Sequence, residues 1–229
     1  MNRSSGILLP VSALPGPCGI GDLGAAARDF IDFLAAAGQR YWQILPLNPP
    51  DGAHSPYLSA STFSGSTDLL SPEPFVARGA ITAAEVRSVD WGSDTMRVDY
   101  DRVHAGKNAL WATAFAREKA AAAPALRAAL AAEPWLSDYC LYMAVKEAHG
   151  GAPWYAWPQP LRDRDAAALA EAAERLDDRV CFHAYLQTEF TRQWDAVRAY
   201  AHAHGVRIIG DLPIETTKKS VPWKIHGTD

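Results

Sequence analysis

The chain has 229 residues, of which 48% are hydrophobic and 21% are charged, and its formal net charge at pH 7 is −4. This composition is that of an ordinary globular protein with a sizeable core, in one or two domains. The net charge provides no basic footprint for nucleic acid or for an anionic membrane, and no apolar run reaches the ~18–20 residues that span a bilayer. We therefore expect neither nucleic acid nor a membrane as a partner.

The three cysteines are widely spaced and form no CxxC motif. An odd number of scattered cysteines argues against a disulfide framework and against a zinc site. The N-terminus also lacks the apolar core of a signal peptide. We expect free thiols in a cytoplasmic protein, with Cys140 and Cys181 buried in apolar helical stretches.

The first 68 residues have the pattern of two β/α units. A short apolar strand at 6–9 is followed by a loop rich in proline and glycine and by a helix. Asp22 suits the N-cap of this helix and Gly38 suits its end. A second strand follows at 41–47, and the short crossover favours a parallel sheet covered by helices.

The next part of the chain is mostly helical. Helices are predicted at about 105–131, 135–149 and 165–176, and a longer one at about 179–204 ends at Gly205. A third apolar strand at 206–210 leads directly to Asp211. We therefore divide the chain into residues 1–68, a helical insertion at 69–178, the long helix with the third strand at 179–214, and a tail at 215–229.

Residues 19–24 match the letters of the dinucleotide motif G-x-G-x-x-G. That motif requires its glycines directly after the first strand and an acidic residue after the second strand. Here a loop with prolines separates the strand from the motif, and the second strand ends in Leu45-Pro46-Leu47. We interpret the glycines as parts of a tight loop.

The scattered histidines do not form a metal site. His202 and His204 are two residues apart, so they do not share a helix face, and we expect no metal ligand among them. The chain has eight tryptophans and eight tyrosines, with a cluster at 154–157. Such rings either stack on sugars or act as large core residues.

Two segments could form a substrate site. Ser55-Pro56-Tyr57 lies in the loop after the second strand, where the tyrosine could contact a sugar or pack into its own turn. Asp211 follows the third strand, and a carboxylate there must be hydrogen-bonded, paired or placed at a cleft. The C-terminal ends of parallel strands carry the chemistry of α/β barrels, and a structural bracing role for Asp211 is the alternative.

The order and spacing of several motifs resemble those of the 4-α-glucanotransferases called amylomaltases or disproportionating enzymes, which are relatives of the α-amylase family. The resemblance runs from residue 5 to residue 214. The motifs are Ser5-Gly6-Ile7-Leu8-Leu9, Leu14-Pro15-Gly16-Pro17, the glycine motif at 19–24, the stretch 37–47, Ser55-Pro56-Tyr57, the stretch 148–154 and Ile208-Ile209-Gly210-Asp211-Leu212-Pro213-Ile214.

This resemblance implies a (β/α)8 TIM barrel, of which the chain carries the first three strands, with the large helical insertion between strands two and three. It also implies retaining transfer of α-1,4-glucan segments between maltooligosaccharides, or to glucose, without a cofactor. In such chemistry a nucleophile and an acid/base carboxyl group lie ~5–5.5 Å apart. Tyr57 and Asp211, with Ser55 beside them, would bind sugar, and none of the three would be the nucleophile or the acid/base.

Two departures from the family pattern are visible. The family's Gly-Asn-Pro is replaced by Gly65-Ser66-Thr67, and residues 215–229 do not follow the family pattern. We therefore expect the strands with the reactive carboxylates to be absent and the tail to come from truncation or a frame shift. The alternatives to a catalytically incomplete enzyme are a non-catalytic glucan-binding module and a misfolded remnant.

Overall fold

The computed structural model describes residues 3–50, 54–59, 61–94 and 96–213, and the backbone of residues 215–216. Most of the predicted tail therefore lies outside the described residues. The strands within them are β1 (Gly6–Leu8), β2 (Tyr41–Gln43), β3 (Leu58–Ser59), β4 (Arg207–Ile209) and β5 (Glu215–Thr216). The α-helices in the same part of the chain are α1 (Ala25–Ala36), α2 (Glu73–Ala77), α3 (Ala83–Ser88), α4 (Tyr100–Ala132), α5 (Pro134–Ala148), α6 (Gln159–Arg162), α7 (Ala166–Arg175) and α8 (Asp177–Ala203).

The main sheet contains three parallel strands in the order β1-β2-β4. This arrangement confirms the predicted mixed α/β fold with a parallel sheet. Ile7, Trp42 and Ile208 are aligned across the three strands. Trp42 is fully buried, and both isoleucines pack against the main core. One face of the sheet is thus covered by the helical part of the protein.

The helical body is formed by α4, α5 and α8, which pack against one another. Its core continues into α1 and the buried face of the sheet. Both cysteines that we expected in the core, Cys140 on α5 and Cys181 on α8, are buried. Trp157 belongs to a second, smaller core beside α5, α6 and α7, so it acts as a packing residue.

The long predicted helices are present with small shifts at their ends. The start of α4 is earlier than expected because the Asp99 carboxylate accepts a hydrogen bond from the Arg102 backbone N–H and caps the helix at that point. The predicted N-cap of α1 was wrong. Gly24 occupies the N-cap position, and Asp22 instead accepts a hydrogen bond from the Gly24 N–H at 2.9 Å.

Asp22 lies in a buried polar contact with Lys107, whose side chain is 1% exposed. The ammonium group of Lys107 donates hydrogen bonds to the backbone oxygens of Asp68 (2.6 Å) and Leu70 (2.8 Å), and it lies 4.0 Å from the Asp22 carboxylate. Burial lowers the pKa of Lys107 and raises the pKa of Asp22, and each charge partly offsets the effect of burial on the other. This contact connects α4 to the loops around the glycine motif at 19–24.

The glycines of that motif are required by packing. A Cβ atom on Gly21 would lie 2.0 Å from the Val11 backbone oxygen, and one on Gly24 would lie 2.3 Å from the Ser71 hydroxyl. This geometry agrees with the interpretation of the motif as a tight loop.

Candidate substrate site at the ends of strands β2 and β4

The predicted site residues lie together. The Tyr57 hydroxyl donates a hydrogen bond of 2.9 Å to Oδ2 of Asp211, which is 154 residues away in the sequence. The Ser55 hydroxyl accepts a hydrogen bond of 3.4 Å from the Tyr57 backbone N–H. The structure therefore brings the two segments together, as expected from their positions after neighbouring parallel strands.

The sheet explains this meeting. Strands β2 and β4 pair directly and in parallel, so their carboxyl ends lie at the same edge. Asp211 follows β4 there, and the loop that carries Tyr57 follows β2. A second pairing, which the sequence did not predict, joins the same two segments, since β3 pairs in parallel with β5. The loop is thus linked to the segment after Asp211 by backbone as well as by side chains.

Side-chain hydrogen bonds connect the two ends of the loop that carries Tyr57. The amide nitrogen of Asn48 donates to the backbone oxygens of Ser61 (3.1 Å) and Ser64 (3.0 Å), and the Ser59 hydroxyl donates to the Pro49 oxygen (2.8 Å). These bonds hold the ends of the loop together. Asn48 was not among the predicted site residues, although its place directly after the second strand is a usable sequence signal.

Helix α8 fixes the far end of the same loop. The side-chain amide of Gln187 accepts from the Gly65 N–H at 2.8 Å and donates to the Gly65 oxygen at 2.9 Å. A Cβ atom on Gly65 would lie 2.2 Å from the Phe190 ring, so the loop rests directly on the helix. The loop carrying Tyr57 is therefore positioned by both the sheet edge and α8.

The carboxylate of Asp211 changes the acidity of the Tyr57 phenol. The hydrogen bond to the carboxylate raises the pKa of the Tyr57 phenol, because losing the proton would place two negative charges side by side. Tyr57 therefore remains a hydroxyl donor near neutral pH. The other carboxylate oxygen of Asp211 accepts a hydrogen bond of 2.9 Å from the Leu212 N–H.

Both side chains are only partly buried, so the pair faces accessible space. A carboxylate accepts hydrogen bonds and a phenol offers both a ring face and a polar edge, so the pair suits a neutral polyhydroxylated ligand. Within the described residues, Asp211 makes no hydrogen bond to another carboxyl group. The arrangement is suited to binding and orienting a sugar.

A separate pocket of about 210 Å³ lies beneath the start of this loop, with His54, Pro56, Asp68 and Tyr100 in its lining. The His54 ring stacks on the Tyr100 ring with 4.7 Å between centroids. Sequence reasoning did not select these two residues. Tyr57 and Asp211 do not line this pocket, so we do not assign it to the same site.

The structure shows a local role for His204, near the end of α8. His204 stacks on Tyr200, hydrogen-bonds to the Tyr200 backbone oxygen at 2.8 Å and lies 3.7 Å from Asp32. Among the described residues, no group of three or more His, Cys, Asp or Glu side chains is arranged to hold a metal ion. Within the same part of the chain, no helix is both long and apolar enough to cross a membrane.

Comparisons with known proteins identify the family. The model of glycoside hydrolase family 77, described as 4-alpha-glucanotransferase, matches residues 9–226. The match extends beyond residue 214, so it includes most of the segment that we expected to lie outside the family. That expectation is corrected for residues 215–226.

Curated relatives carry the same description. The 4-alpha-glucanotransferase of Thermus thermophilus is 47% identical over 229 residues, which is 98% of this chain and 45% of the relative. The enzyme of the same description from Streptococcus pneumoniae strain R6 is 38% identical over 221 residues, covering 95% of this chain and 44% of the relative. The chain thus spans less than half the length of these relatives.

Solved structures agree. Amylomaltase from Streptococcus agalactiae in complex with acarbose superposes with a TM-score of 0.90 at 33% identity, covering 96% of this chain and 45% of that one. Amylomaltase from Corynebacterium glutamicum, at 17% identity and a TM-score of 0.67, shows the fold alone. Taken together with the family match over residues 9–226, these similarities establish that the chain belongs to the 4-α-glucanotransferases of glycoside hydrolase family 77.

Proposed function

We propose that this chain forms one wall of the glucan cleft of an amylomaltase-type 4-α-glucanotransferase. The observation that carries the proposal is the Tyr57–Asp211 hydrogen bond of 2.9 Å at the carboxyl edge of the sheet, in a chain that belongs to this family. In the proposed reaction, α-1,4-glucan segments pass between maltooligosaccharides, or to glucose, by a retaining double displacement without a cofactor.

In this proposal β1, β2 and β4 are the first three strands of a (β/α)8 barrel. Residues 1–68 hold the first two β/α units, residues 69–178 form the helical insertion, and residues 179–214 supply the third strand and α8 from its third residue onward. Support comes from the parallel order β1-β2-β4 and from the position of the site at the carboxyl ends of the strands.

Tyr57, Asp211 and Ser55 are assigned to sugar binding. The Asp211 carboxylate accepts from sugar hydroxyls, and the Tyr57 ring offers an apolar face with a hydroxyl at its edge. The nucleophile and the acid/base of the double displacement are not assigned to any residue of this chain. We therefore expect the chain by itself to bind glucan and not to turn it over, which is the behaviour of a non-catalytic glucan-binding module.

The test is calorimetric titration of the chain with maltoheptaose and with acarbose. Wild type should bind both, and Asp211→Asn and Tyr57→Phe should each weaken binding by about tenfold, since each removes one of the paired polar groups. Asp163→Asn is the matched control, because Asp163 is an exposed carboxylate that pairs with Arg162 far from the site in the sequence.

Equal affinities for the wild type, the two site variants and the control would remove Tyr57 and Asp211 from the site. A parallel assay measures glucose release from maltotriose by the chain alone. Release at a rate comparable with the Thermus thermophilus relative would contradict the assignment of the reactive carboxylates to other parts of the family fold.

A further inference from the structure

A further pocket lies where the loop that carries Tyr57 rests on α5 and α8. It has a volume of about 240 Å³ and is partly open to solvent. Its lining includes Phe63 from the loop, Trp135 from α5 and Trp194 from α8. The Phe63 and Trp135 rings are stacked with 6.1 Å between their centroids. Neither Tyr57 nor Asp211 is part of this lining, so a ligand in the pocket does not depend on that pair.

The two tryptophans of this tryptophan pocket differ from the packing tryptophans of the protein. Trp135 and Trp194 are each partly buried and pack against the main core. Within the part of the chain that the structure describes, neither indole N–H donates a hydrogen bond. Buried indoles usually do find a partner. Those that donate to backbone oxygens at 2.8–3.2 Å are Trp42, Trp91, Trp111 and Trp157. The two N–H groups of the tryptophan pocket are therefore available to a ligand.

The lining also provides hydrogen-bond acceptors. The amide nitrogen of Asn48 holds the loop, whereas its amide oxygen accepts no hydrogen bond from any residue that the structure describes. The Thr191 hydroxyl donates to the Gln187 backbone oxygen at 3.1 Å, so its lone pairs can still accept. The pocket thus combines ring faces with donors and acceptors, which is the combination that a sugar requires.

The walls of the tryptophan pocket are held in place by contacts within the protein. The side-chain amide of Gln187 pairs with both backbone groups of Gly65, at 2.8 and 2.9 Å. The Phe190 ring lies directly against Gly65 and also belongs to the lining. Because a pre-formed site loses little conformational entropy when it binds a ligand, even a few contacts can give measurable affinity.

The size and charge of the pocket limit its occupant. Pockets that enclose drug-sized ligands have volumes of ~300–1,000 Å³, so a pocket of about 240 Å³ suits a single small ring and not a long glucan segment. None of the described residues in its lining is charged. A charged ligand would lose hydration there without gaining a counter-ion, whereas the hydroxyls of a neutral sugar can exchange water for the polar groups of the lining.

We propose that the tryptophan pocket binds a single glucosyl unit of an α-glucan, apart from the Tyr57–Asp211 pair. The apolar face of the sugar ring packs on the indole of Trp194, sugar oxygens accept from the N–H groups of Trp135 and Trp194, and a sugar hydroxyl donates to the Asn48 oxygen. The choice of an α-glucan rests on the proposed function, whereas the choice of a neutral sugar rests on the side chains of the pocket.

The experiment is nuclear magnetic resonance of the chain with ¹⁵N-labelled indoles, titrated with maltose. The signals of Trp135 and Trp194, each assigned by its loss in Trp135→Phe or Trp194→Phe, should shift and reach saturation. The signals of Trp42 and Trp111 should not move, because these indoles are fully buried and already paired. Each substitution keeps a ring and removes one N–H donor. It should therefore weaken maltose binding, followed on the remaining signal of the pocket, by at least about threefold.

Two controls separate this pocket from other sites. Tyr155→Phe is the matched control, since it removes the polar group of an exposed ring outside the pocket and should bind maltose like the wild type. Asp211→Asn should leave the indole shifts unchanged, because Asp211 does not line the pocket. A cooperative melting curve shows that each variant has folded. The two tryptophan variants report independently, so either one is sufficient if the other does not fold.

Several outcomes would overturn the proposal. They are the absence of saturable shifts at Trp135 and Trp194, equal shifts with the acyclic polyol sorbitol, loss of the shifts in Asp211→Asn, and equal affinities for the tryptophan variants and Tyr155→Phe. Indole shifts together with equal maltoheptaose affinities of wild type and Asp211→Asn would refute the Tyr57–Asp211 assignment and leave this pocket intact. Maltoheptaose binding that depends on Asp211 without any indole shift would have the opposite meaning.

Discussion

At the scale of single residues, a buried charge connects a helix of this protein to a neighbouring loop. Lys107 illustrates this point, because its ammonium group replaces the water that would otherwise satisfy two backbone oxygens. Its hydrogen bonds to the Asp68 and Leu70 oxygens join α4 to the chain before α2. A buried charge is tolerated only where it is paired and hydrogen-bonded, and Lys107 is both.

Replacing Lys107 should therefore destabilise the protein strongly. Lys107→Ala leaves two backbone oxygens without their donor and the buried Asp22 carboxylate without the positive charge that lies 4.0 Å from it, so we expect a loss of about 3–5 kcal/mol in the free energy of unfolding. Urea denaturation followed by circular dichroism measures it. Lys119→Ala is the matched control, because Lys119 forms an exposed ion pair of 2.9 Å with Asp178 and should cost at most about 1 kcal/mol. Similar losses for both variants would show that the Lys107 contact adds nothing specific.

At the scale of elements, the pairing of α5 with α8 organises the helical body. Glu147 on α5 contacts His183 at 3.0 Å and Arg179 at 2.7 Å, and both partners lie on α8. Burial by itself would raise the pKa of Glu147, but the hydrogen bonds and charges of His183 and Arg179 outweigh it and lower the pKa to about 2. The carboxylate is thus stabilised in its charged form by the neighbouring helix.

This shift predicts a pH dependence of stability. Because the pKa of Glu147 is lower in the folded state, its contribution is fully present above the ordinary glutamate value and is lost as the pH falls toward 2. The melting temperature of the wild type should therefore fall more steeply between about pH 5 and pH 2 than that of Glu147→Gln. Parallel pH profiles for the two proteins would contradict the role of Glu147. Glu171→Gln, at an exposed position of α7, is the control.

The periodicity of apolar residues was sufficient to predict the long helices, but it did not predict which residues these helices contact. The spacing of apolar residues predicted α4, α5, α7 and α8, because such periodicity reports directly on which helix face is buried. The two-residue strands β3 and β5 were missed, since so short a pairing leaves no periodic pattern. Asp22 was predicted as a helix N-cap because a carboxylate can accept a hydrogen bond from a free backbone N–H. In the structure it is buried 4.0 Å from the ammonium group of Lys107, which is distant in the sequence.

The meeting of the two candidate segments was partly predictable. Tyr57 and Asp211 were selected because each follows an apolar strand, and the parallel pairing of β2 and β4 places them together. The supporting bonds from Asn48 and Gln187 were not predicted, since they depend on loop geometry that has no sequence period.

At the scale of the whole molecule, the protein has a well-packed helical side and an open sheet side. Strand β2 has neighbours on both sides, whereas β1 and β4 each have a neighbour on one side within the described residues. The helical body and the sheet edges should therefore differ in local stability, since local opening follows the density of buried contacts.

Hydrogen exchange measured by mass spectrometry tests this difference. Peptides covering the buried parts of α5 and α8 should exchange slowly, and those covering β1 and β4 should exchange faster, because their outer edges are unpaired. Exchange at β1 and β4 that is as slow as at α5 and α8 would contradict this difference in local stability.

The hydrogen bond between Tyr57 and Asp211 also has a consequence for the order of folding. It joins residues 154 apart, so closing this loop without the intervening helices would cost about 4–5 kcal/mol in chain entropy. We therefore expect the Tyr57–Asp211 pair to form after α4, α5 and α8 have packed. A ligand that binds this pair selects chains that have finished folding, and by mass action it should raise the stability of the entire molecule.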